Sequence, residues 1–246
     1  MSQRLDVALA ERGLCASRTL AQAMILAGEV RVDGQVETKA SRKVSDENSI
    51  EIEKPPRFVS RGGEKLEGAF VKFGLEVEGL TGLDVGSSTG GFTDCLLQHG
   101  AKRVMAVDVG TNQLAYKLRA DSRVWVRENY NARYMKREDL PWEPDIAVTD
   151  VSFISLRLIL PPIVDVLKPG GKIVALIKPQ FEVGKGNAPG GLVRDERLRV
   201  EARDSIVAFA QKDLGLALLG LDVSPIRGRE MGNIEYLSLF SKPPAH

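Results

Sequence analysis

The sequence is poor in the residues that staple or metallate a small protein. It has two cysteines, Cys15 and Cys95, and two histidines, His99 and His246. The cysteines are far apart and expected in helices, so neither a disulfide framework nor a zinc cluster can be assembled from them. An excess of one charge is also missing. The 34 lysines and arginines stand against 33 acids, for a net charge of +1. That excludes a polybasic tail and an acidic disordered chain, but not a local basic face. No run approaches the ~18 uninterrupted apolar residues of a membrane helix. The opening Met1-Ser2-Gln3-Arg4-Leu5-Asp6 puts charge where a signal peptide needs its apolar stretch. What remains is 246 residues, 43% hydrophobic and 27% charged. This suits a reduced, cytoplasmic globular protein with one large domain and a small companion.

Two patterns divide the chain. In residues 1–56, Leu5, Ala8 and Leu9 before Gly13 predict a first amphipathic helix. Ser17 is placed to cap a second, carried by Leu20, Ala21, Met24, Ile25 and Ala27 and ended by Gly28. Val30-Arg31-Val32 runs into an Asp33-Gly34 turn, and Ser49–Glu53 alternates as another strand. Lys54-Pro55-Pro56-Arg57 reads as stiff connection, because two prolines continue neither element type. We assign 57–60 to a linker and 61–246 to the second domain.

From Arg61 the pattern becomes βαβ. A helix over 61–74 leads to a strand at 82–85, a glycine-rich loop and a helix near 91–99. Further strands are expected at 103–107, 124–126, 145–149 and 172–177, with a helix over 156–167. Alternation of this kind implies a mainly parallel sheet covered on both faces. The last two strands, 216–223 and 234–240, are joined by a Pro/Gly/Arg loop too short for a crossover helix, so they should pair antiparallel.

The first βα loop, Leu83-Asp84-Val85-Gly86-Ser87-Ser88-Thr89-Gly90-Gly91-Phe92-Thr93, lets backbone N–H groups and a helix N-terminus approach a ligand. Its Gly-x-x-x-Gly-Gly spacing is not the Gly-x-Gly-x-x-Gly of dinucleotide binders. Asp108 ends the next strand, where an acid accepts hydrogen bonds from ribose hydroxyls, and Asp84 is placed to meet an ammonium group. S-adenosylmethionine offers a ribose, an ammonium and a carboxylate without a pyrophosphate, so it suits the loop better than a nicotinamide dinucleotide. After the third strand, Asn129 or Asn131 is a candidate for adenine, and a plain polar loop is the alternative.

Ligands of open α/β sheets bind beyond the carboxyl ends of the parallel strands. Asp150 and Lys178 each stand at such an end, directly after buried apolar runs. Glu235 opens an antiparallel final strand, so its start lies on the same edge. Lys65 in the entering helix would complete a group of two lysines and two carboxylates. A lysine acts as a general base only after losing its proton, which burial beside another cation favours. Such a base would take a proton from a weakly acidic hydroxyl such as a ribose 2′-OH. Asp150-Val151-Ser152-Phe153 lacks the Asn/Asp-Pro-Pro-aromatic run common in amino-group methyltransferases, and neither cysteine is placed for carbon-5 chemistry on pyrimidines.

Residues 1–53 resemble the S4-like RNA-binding domain, on Arg4-Leu5-Asp6, Ser17-Arg18, Ala21, Ile25, Gly28–Gly34 and Ile50. Residues 61–241 resemble the FtsJ-like methyltransferase domain, on Ser60–Leu66, Asp84–Thr93, Asp150–Ser155, Lys178–Glu182, Gly191–Asp195 and Gly232–Tyr236. The combination resembles the TlyA family of haemolysin A-like proteins. The resemblance implies a Rossmann-like class I methyltransferase with a seven-stranded, mostly parallel sheet and an antiparallel last strand, preceded by a small α+β S4-like domain. It further implies S-adenosylmethionine as cofactor, ribosomal RNA (16S or 23S) or ribosomal subunits as partner, and ribose 2′-O-methylation as the reaction. Lys65, Asp150, Lys178 and Glu235 match the family's catalytic tetrad, and Lys65 owes most of its support to that match. Arg4, Arg12, Arg18, Arg31, Lys39, Arg42 and Lys43 become the RNA-binding candidates; alone they would read as a solvated face interleaved with acids. One departure stands out. The relatives' linker carries a tryptophan, whereas Arg57-Phe58-Val59-Ser60 stands here. Two other readings remain: a pore-forming haemolysin, as the family's historical label suggests, and an RNA-binding assembly factor without turnover.

Overall fold

The computed structural model describes residues 2–52, 56–184, 186–228 and 232–244. Glu53, Lys54, Pro55 and His246, which figure in the expectations above, lie outside the described residues. The chain divides into two compact units, Met1–Arg57 and Phe58–His246.

The first unit runs β1 (Gln3–Arg4), α1 (Leu5–Glu11), α2 (Arg18–Leu26), β2 (Val30–Val32), β3 (Gln35–Val36), β4 (Lys43–Val44) and β5 (Ile50–Ile52). Leu5, Ala8 and Leu9 share one face of α1, and Ala21 and Ile25 one face of α2. Helical spacing puts each set on a single stripe, and both stripes are buried with Val30, Val32 and Val44. Ser17 caps α2 through its Oγ, which accepts from the Leu20 N–H at 3.2 Å. Asp33 and Gly34 both take positive φ, 52° and 79°. This twists the turn to match the β2–β3 hairpin it joins. β5 pairs antiparallel with the other edge of β2. The β1–β4 pair was not expected, because two-residue strands have no periodicity to read. Cys15 lies in the connection between α1 and α2 rather than in a helix.

The second unit runs α3 (Gly62–Phe73), β6 (Thr81–Val85), α4 (Gly91–Gln98), β7 (Arg103–Val107), α5 (Tyr116–Arg119), β8 (Val124–Arg127), β9 (Ile146–Thr149), α6 (Leu156–Val166), β10 (Lys172–Ile177), α7 (Pro179–Glu182), α8 (Glu196–Lys212), β11 (Ala217–Val223) and β12 (Tyr236–Ser241). Seven strands form one sheet in the order β11-β12-β10-β9-β6-β7-β8. The five strands β6 to β10 pair parallel, and β12 runs antiparallel to both β10 and β11. Alternate residues of β10 show why its run is continuously apolar. Ile173, Ala175 and Ile177 pack with α6 and α8 on one face, while Val174 and Leu176 pack with α3 and α4 on the other. The order turns back at β6, which lies between β7 and β9, and the crevice at that reversal is where such sheets hold ligands.

Residues 58–60 are not linker. Phe58 is buried in the core beneath α3, and a Cβ on Gly63 would fall 2.2 Å from its Cγ. The Val59 N–H donates to Asp94 Oδ2 at 2.8 Å, and the Ser60 carbonyl accepts from the Gly63 N–H. The reading failed because an aromatic just past two prolines looks like connection until the helix it packs on is in place.

Candidate active site

Strand register assembles the charged group. Ile177 pairs with Tyr236 across β10 and β12, so Lys178 and Glu235, one step beyond, share the carboxyl edge of the sheet. Thr149 pairs with Ala175 in β10 and with Val85 in β6, which brings Asp150 to the same edge. The inward face of α3 adds Lys65. Its Nζ donates to Glu235 Oε2 at 2.7 Å and to Asp150 Oδ2 at 3.3 Å. Lys178 Nζ lies 2.5 Å from Asp150 Oδ1. This is a close charge contact without hydrogen-bond alignment, since that oxygen has no aligned donor. Lys178 Nζ does donate to Ser152 Oγ at 2.8 Å. The result is one chain of contacts, Glu235–Lys65–Asp150–Lys178–Ser152. Exposures of 2%, 8% and 7% for Glu235, Lys65 and Lys178 make unpaired charge there costly, so alternating signs are what such burial demands.

A cavity of about 540 Å³ opens between this group and the loop after β6, walled by Asp84, Gly86, Ser87, Ser88, Thr89, Gly91 and Phe92, and by Ser60 to Gly62. Asp84 Oδ2 takes both the Thr93 N–H and the Thr93 hydroxyl, at 2.9 and 2.7 Å, while buried Oδ1 has no partner. Burial pushes the Asp84 carboxyl up to about 7, against the pull of the Thr93 bonds. Gly86 has φ 81°, and a Cβ there would meet Val151. Gly90 and Thr93 line none of the cavities described here. Gly90 instead packs under Leu114 and Leu118, and Thr93 is fully buried on Asp84.

A second cavity of about 510 Å³, on the other side of the loop, includes Asp108, Val109, Tyr130, Asn131 and Ile154. Asp108 is held in place by the Ser88 N–H at 2.8 Å and the Gly110 N–H at 2.6 Å. One further lone pair on each oxygen remains for another donor. Of the two asparagines, Asn131 lines this cavity, although its Oδ1 accepts from the Arg133 N–H. Asn129 is exposed, with φ 52°, and lines none of these cavities. The residues fit S-adenosylmethionine: an orphaned buried acid faces one end of the space, and a fixed acid beside an apolar slot faces the other.

A third cavity of about 530 Å³ adjoins Lys65, Lys178 and Glu235 on the remaining side, with Phe153, Phe181 and Gln180 in its wall. The sequence reading missed this wall. Phe153 is 83% exposed with φ 64°, and its ring stands 5.2 Å from that of Phe181. Its only sequence signal was an aromatic three residues after Asp150. Ser152, also missed, lines all three cavities.

The seven basic candidates of the first unit divide by what they touch. Arg4 and Arg18 both bond buried Asp6, at 2.9 Å, with Gln22 as a third donor. Arg4 above all, then Gln22 and Arg18, hold that carboxyl well below the usual carboxylate range. Arg12 reaches the carbonyls of Ser45 and Asn48, Arg31 that of Gly34, and Arg42 the carboxylate of Glu37. Lys39 and Lys43 are exposed. A separate group in the second unit, Glu67, Cys95 and His99, shows that its one described histidine does gather mixed donors. His99 Nε2 is 2.6 Å from Glu67 Oε2, a hydrogen-bond distance.

Residues 58–242 match the FtsJ-like methyltransferase family, and residues 3–50 match the S4 domain. A protein of Brachyspira hyodysenteriae named hemolysin A is 47% identical over 96% of this chain and 99% of its own length. The 16S/23S rRNA (cytidine-2′-O)-methyltransferase TlyA of Mycobacterium tuberculosis is 44% identical over 95% of this chain and 87% of its own. A solved protein of Streptococcus thermophilus, 45% identical, superposes with a TM-score of 0.76 over 98% of this chain and 89% of its own.

Proposed function

The chain belongs to the TlyA family of FtsJ-like methyltransferases, and from that premise we propose that it methylates a ribose 2′-hydroxyl of ribosomal RNA. The observation that carries the reading is the contact chain from Glu235 to Lys178, set where the cofactor-sized cavities meet the aromatic-walled one. When bound, S-adenosylmethionine supplies a methyl group on a positively charged sulfur, open to attack by an oxygen nucleophile. Lys178 is the general base: as the neutral amine it takes the 2′-hydroxyl proton and leaves an oxygen able to attack. Asp150 and Glu235 hold Lys65 and Lys178 in place and keep the charge balanced as that proton arrives. Asp84 offers its free oxygen to the cofactor's ammonium, and Asp108 accepts from its ribose hydroxyls. Asn131 borders the space for adenine. Phe153 and Phe181 supply faces on which an unstacked target base can lie, the usual way proteins hold a nucleotide taken out of its stack.

The basic face of the first unit, Arg4, Arg18, Lys39 and Lys43, is the proposed grip on RNA, and a cytidine in ribosomal RNA is the proposed target class, after the Mycobacterium relative's name. Mapping ribose methyls by mass on 16S and 23S RNA, incubated as subunits with the protein and labelled cofactor, tests the reading and names the nucleotide. Lys178→Ala should abolish transfer while binding S-adenosylhomocysteine as before. Normal turnover by that variant would remove lysine as the base. Binding of subunits with no methyl transferred would favour the assembly-factor reading. The pore-forming reading rests on the Brachyspira relative's name. Among the described residues no helix is long and apolar enough to cross a membrane, and liposomes exposed to the protein are expected to stay sealed.

A further inference from the structure

Lys178 poses a problem of direction as well as of charge. An ammonium has three equivalent N–H bonds, and after one proton leaves, the lone pair points wherever rotation about the Cε–Nζ bond takes it. A base works only when that lone pair faces the proton to be taken. Asp150 draws the amine with its charge, but its close oxygen sits off the hydrogen-bond direction. Among the described residues the directed partner of Nζ is Ser152 Oγ, at 2.8 Å.

The placement of Ser152 supports a specific task. It follows β9 by three residues, and Phe153 behind it takes φ 64°, a conformation that an aromatic residue rarely adopts. The turn leaves Phe153 exposed and the Ser152 hydroxyl on Lys178. Ser152 also borders all three cavities, where the amine, the cofactor space and the aromatic wall come together.

We propose that Ser152 is a positioning residue for the methyl-transfer reaction: its Oγ accepts one N–H of Lys178 and so aims the amine's lone pair into the space where the three cavities meet. The inference rests on Lys178 being the base. With one N–H held by Ser152 and a second drawn to Asp150, the third direction is left for the substrate. On deprotonation the lone pair settles there, because one N–H stays on the Ser152 hydroxyl and another is held towards the charge of Asp150. The 2′-hydroxyl then gives its proton along that direction and keeps the electron pair that forms the new O–C bond. Among the described residues, Asp150 after β9 is in charge contact with this amine, and Lys65, Glu235, Asp84 and Arg227 are the other charged groups lining the cavities it borders.

Single-turnover methylation of ribosomal subunits across a pH series tests the role with Ser152→Ala, Ser152→Thr and Lys178→Ala. Ser152→Ala should lower the plateau rate by roughly tenfold, the effect of one hydrogen bond to a charged group. Without that acceptor the ammonium gives up its proton more readily. The acid limb of the profile should therefore move to lower pH. Ser152→Thr keeps the hydroxyl and should restore both plateau and limb. The unfolding midpoint of Ser152→Ala should match the parent chain, since the residue is exposed. A parental plateau, or a lowered plateau with an unmoved limb, overturns the role of Ser152. If Lys178→Ala is inactive in the same series, the base reading stands while the Ser152 inference alone fails. Parental activity of Lys178→Ala removes the base reading first.

Discussion

Asp84 is asked to sit in the core and to meet a cation. Its carboxyl is fully enclosed and pushed up to about 7 by burial, far above the ordinary carboxylate value near 4. Between those values the folded chain keeps a proton that the unfolded chain releases. The stability tied to this group is therefore present below about pH 4 and is lost as pH rises through 7. A cofactor ammonium reverses the preference, because it needs the ionised form. From pH 6 to pH 8 the ionised fraction rises roughly tenfold, so affinity for S-adenosylhomocysteine should rise by about that factor. Titration calorimetry at both pH values measures it, and Asp84→Asn should flatten the dependence; a flat profile in the parent chain would remove Asp84 from the ammonium site. The edge placement of Asp150, Lys178 and Glu235 was legible because a charge directly beside a buried apolar run stands at the end of its strand. Ser152 and Phe153 were not, since the direction of a loop side chain depends on a backbone angle that residue type does not disclose. Gly90 and Thr93 were read as ligand contacts because the loop was treated as one unit. They pack on Leu114, Leu118 and Asp84, and neither lines a cavity described here.

At the scale of elements, nearly continuous apolar runs disclosed β7, β9 and β10, because strands buried on both faces carry few polar residues to confuse the period. The 17-residue α8 was passed over for the opposite reason. It buries only Ala202, Ile206 and Ala210, too thin a stripe beside nine charged and polar residues to stand out, although Asp195 caps it as a helix start should be capped. Placing Phe58 within the second unit gives α3 a testable dependence. Gly63 is without a side chain because Phe58 fills that space at 2.2 Å, and Lys65 lies two residues further along the same helix. Gly63→Ala should cost about 2 kcal/mol through overpacking, which is roughly 4–8 °C in unfolding midpoint for a chain of this size. Pairing it with Phe58→Ala should cost less than the two separate losses summed, because the clash disappears. Strict additivity in thermal unfolding would mean that the two residues do not share that space.

At the scale of the whole molecule, near-neutral charge means that any grip on RNA must come from a few residues rather than a general field. The first unit sorts its cations accordingly. Arg12, Arg31 and Arg42 donate to carbonyls and to Glu37 within the unit, contacts that hold the chain. Arg4 and Arg18 are braced against one buried acid, which fixes their direction while leaving them half exposed. Lys39 and Lys43 are exposed at the surface. Residue type alone puts all seven cations in one class; their partners, set by the fold, divide them. That division separates two outcomes that a count of basic residues would merge. Replacing Lys39 and Lys43 with alanine should weaken RNA binding and reduce the slope of log K against log salt by about 1.5, each lost phosphate contact removing its share of released counterions. Arg12→Ala should lower the unfolding midpoint of the chain and leave that slope where it was. Filter binding across a salt series, run beside thermal unfolding, distinguishes them. A slope unchanged in the double lysine variant but reduced in Arg12→Ala would mean that the arginine leaves its carbonyls for phosphate when RNA arrives, and that the face seen here reorganises on binding.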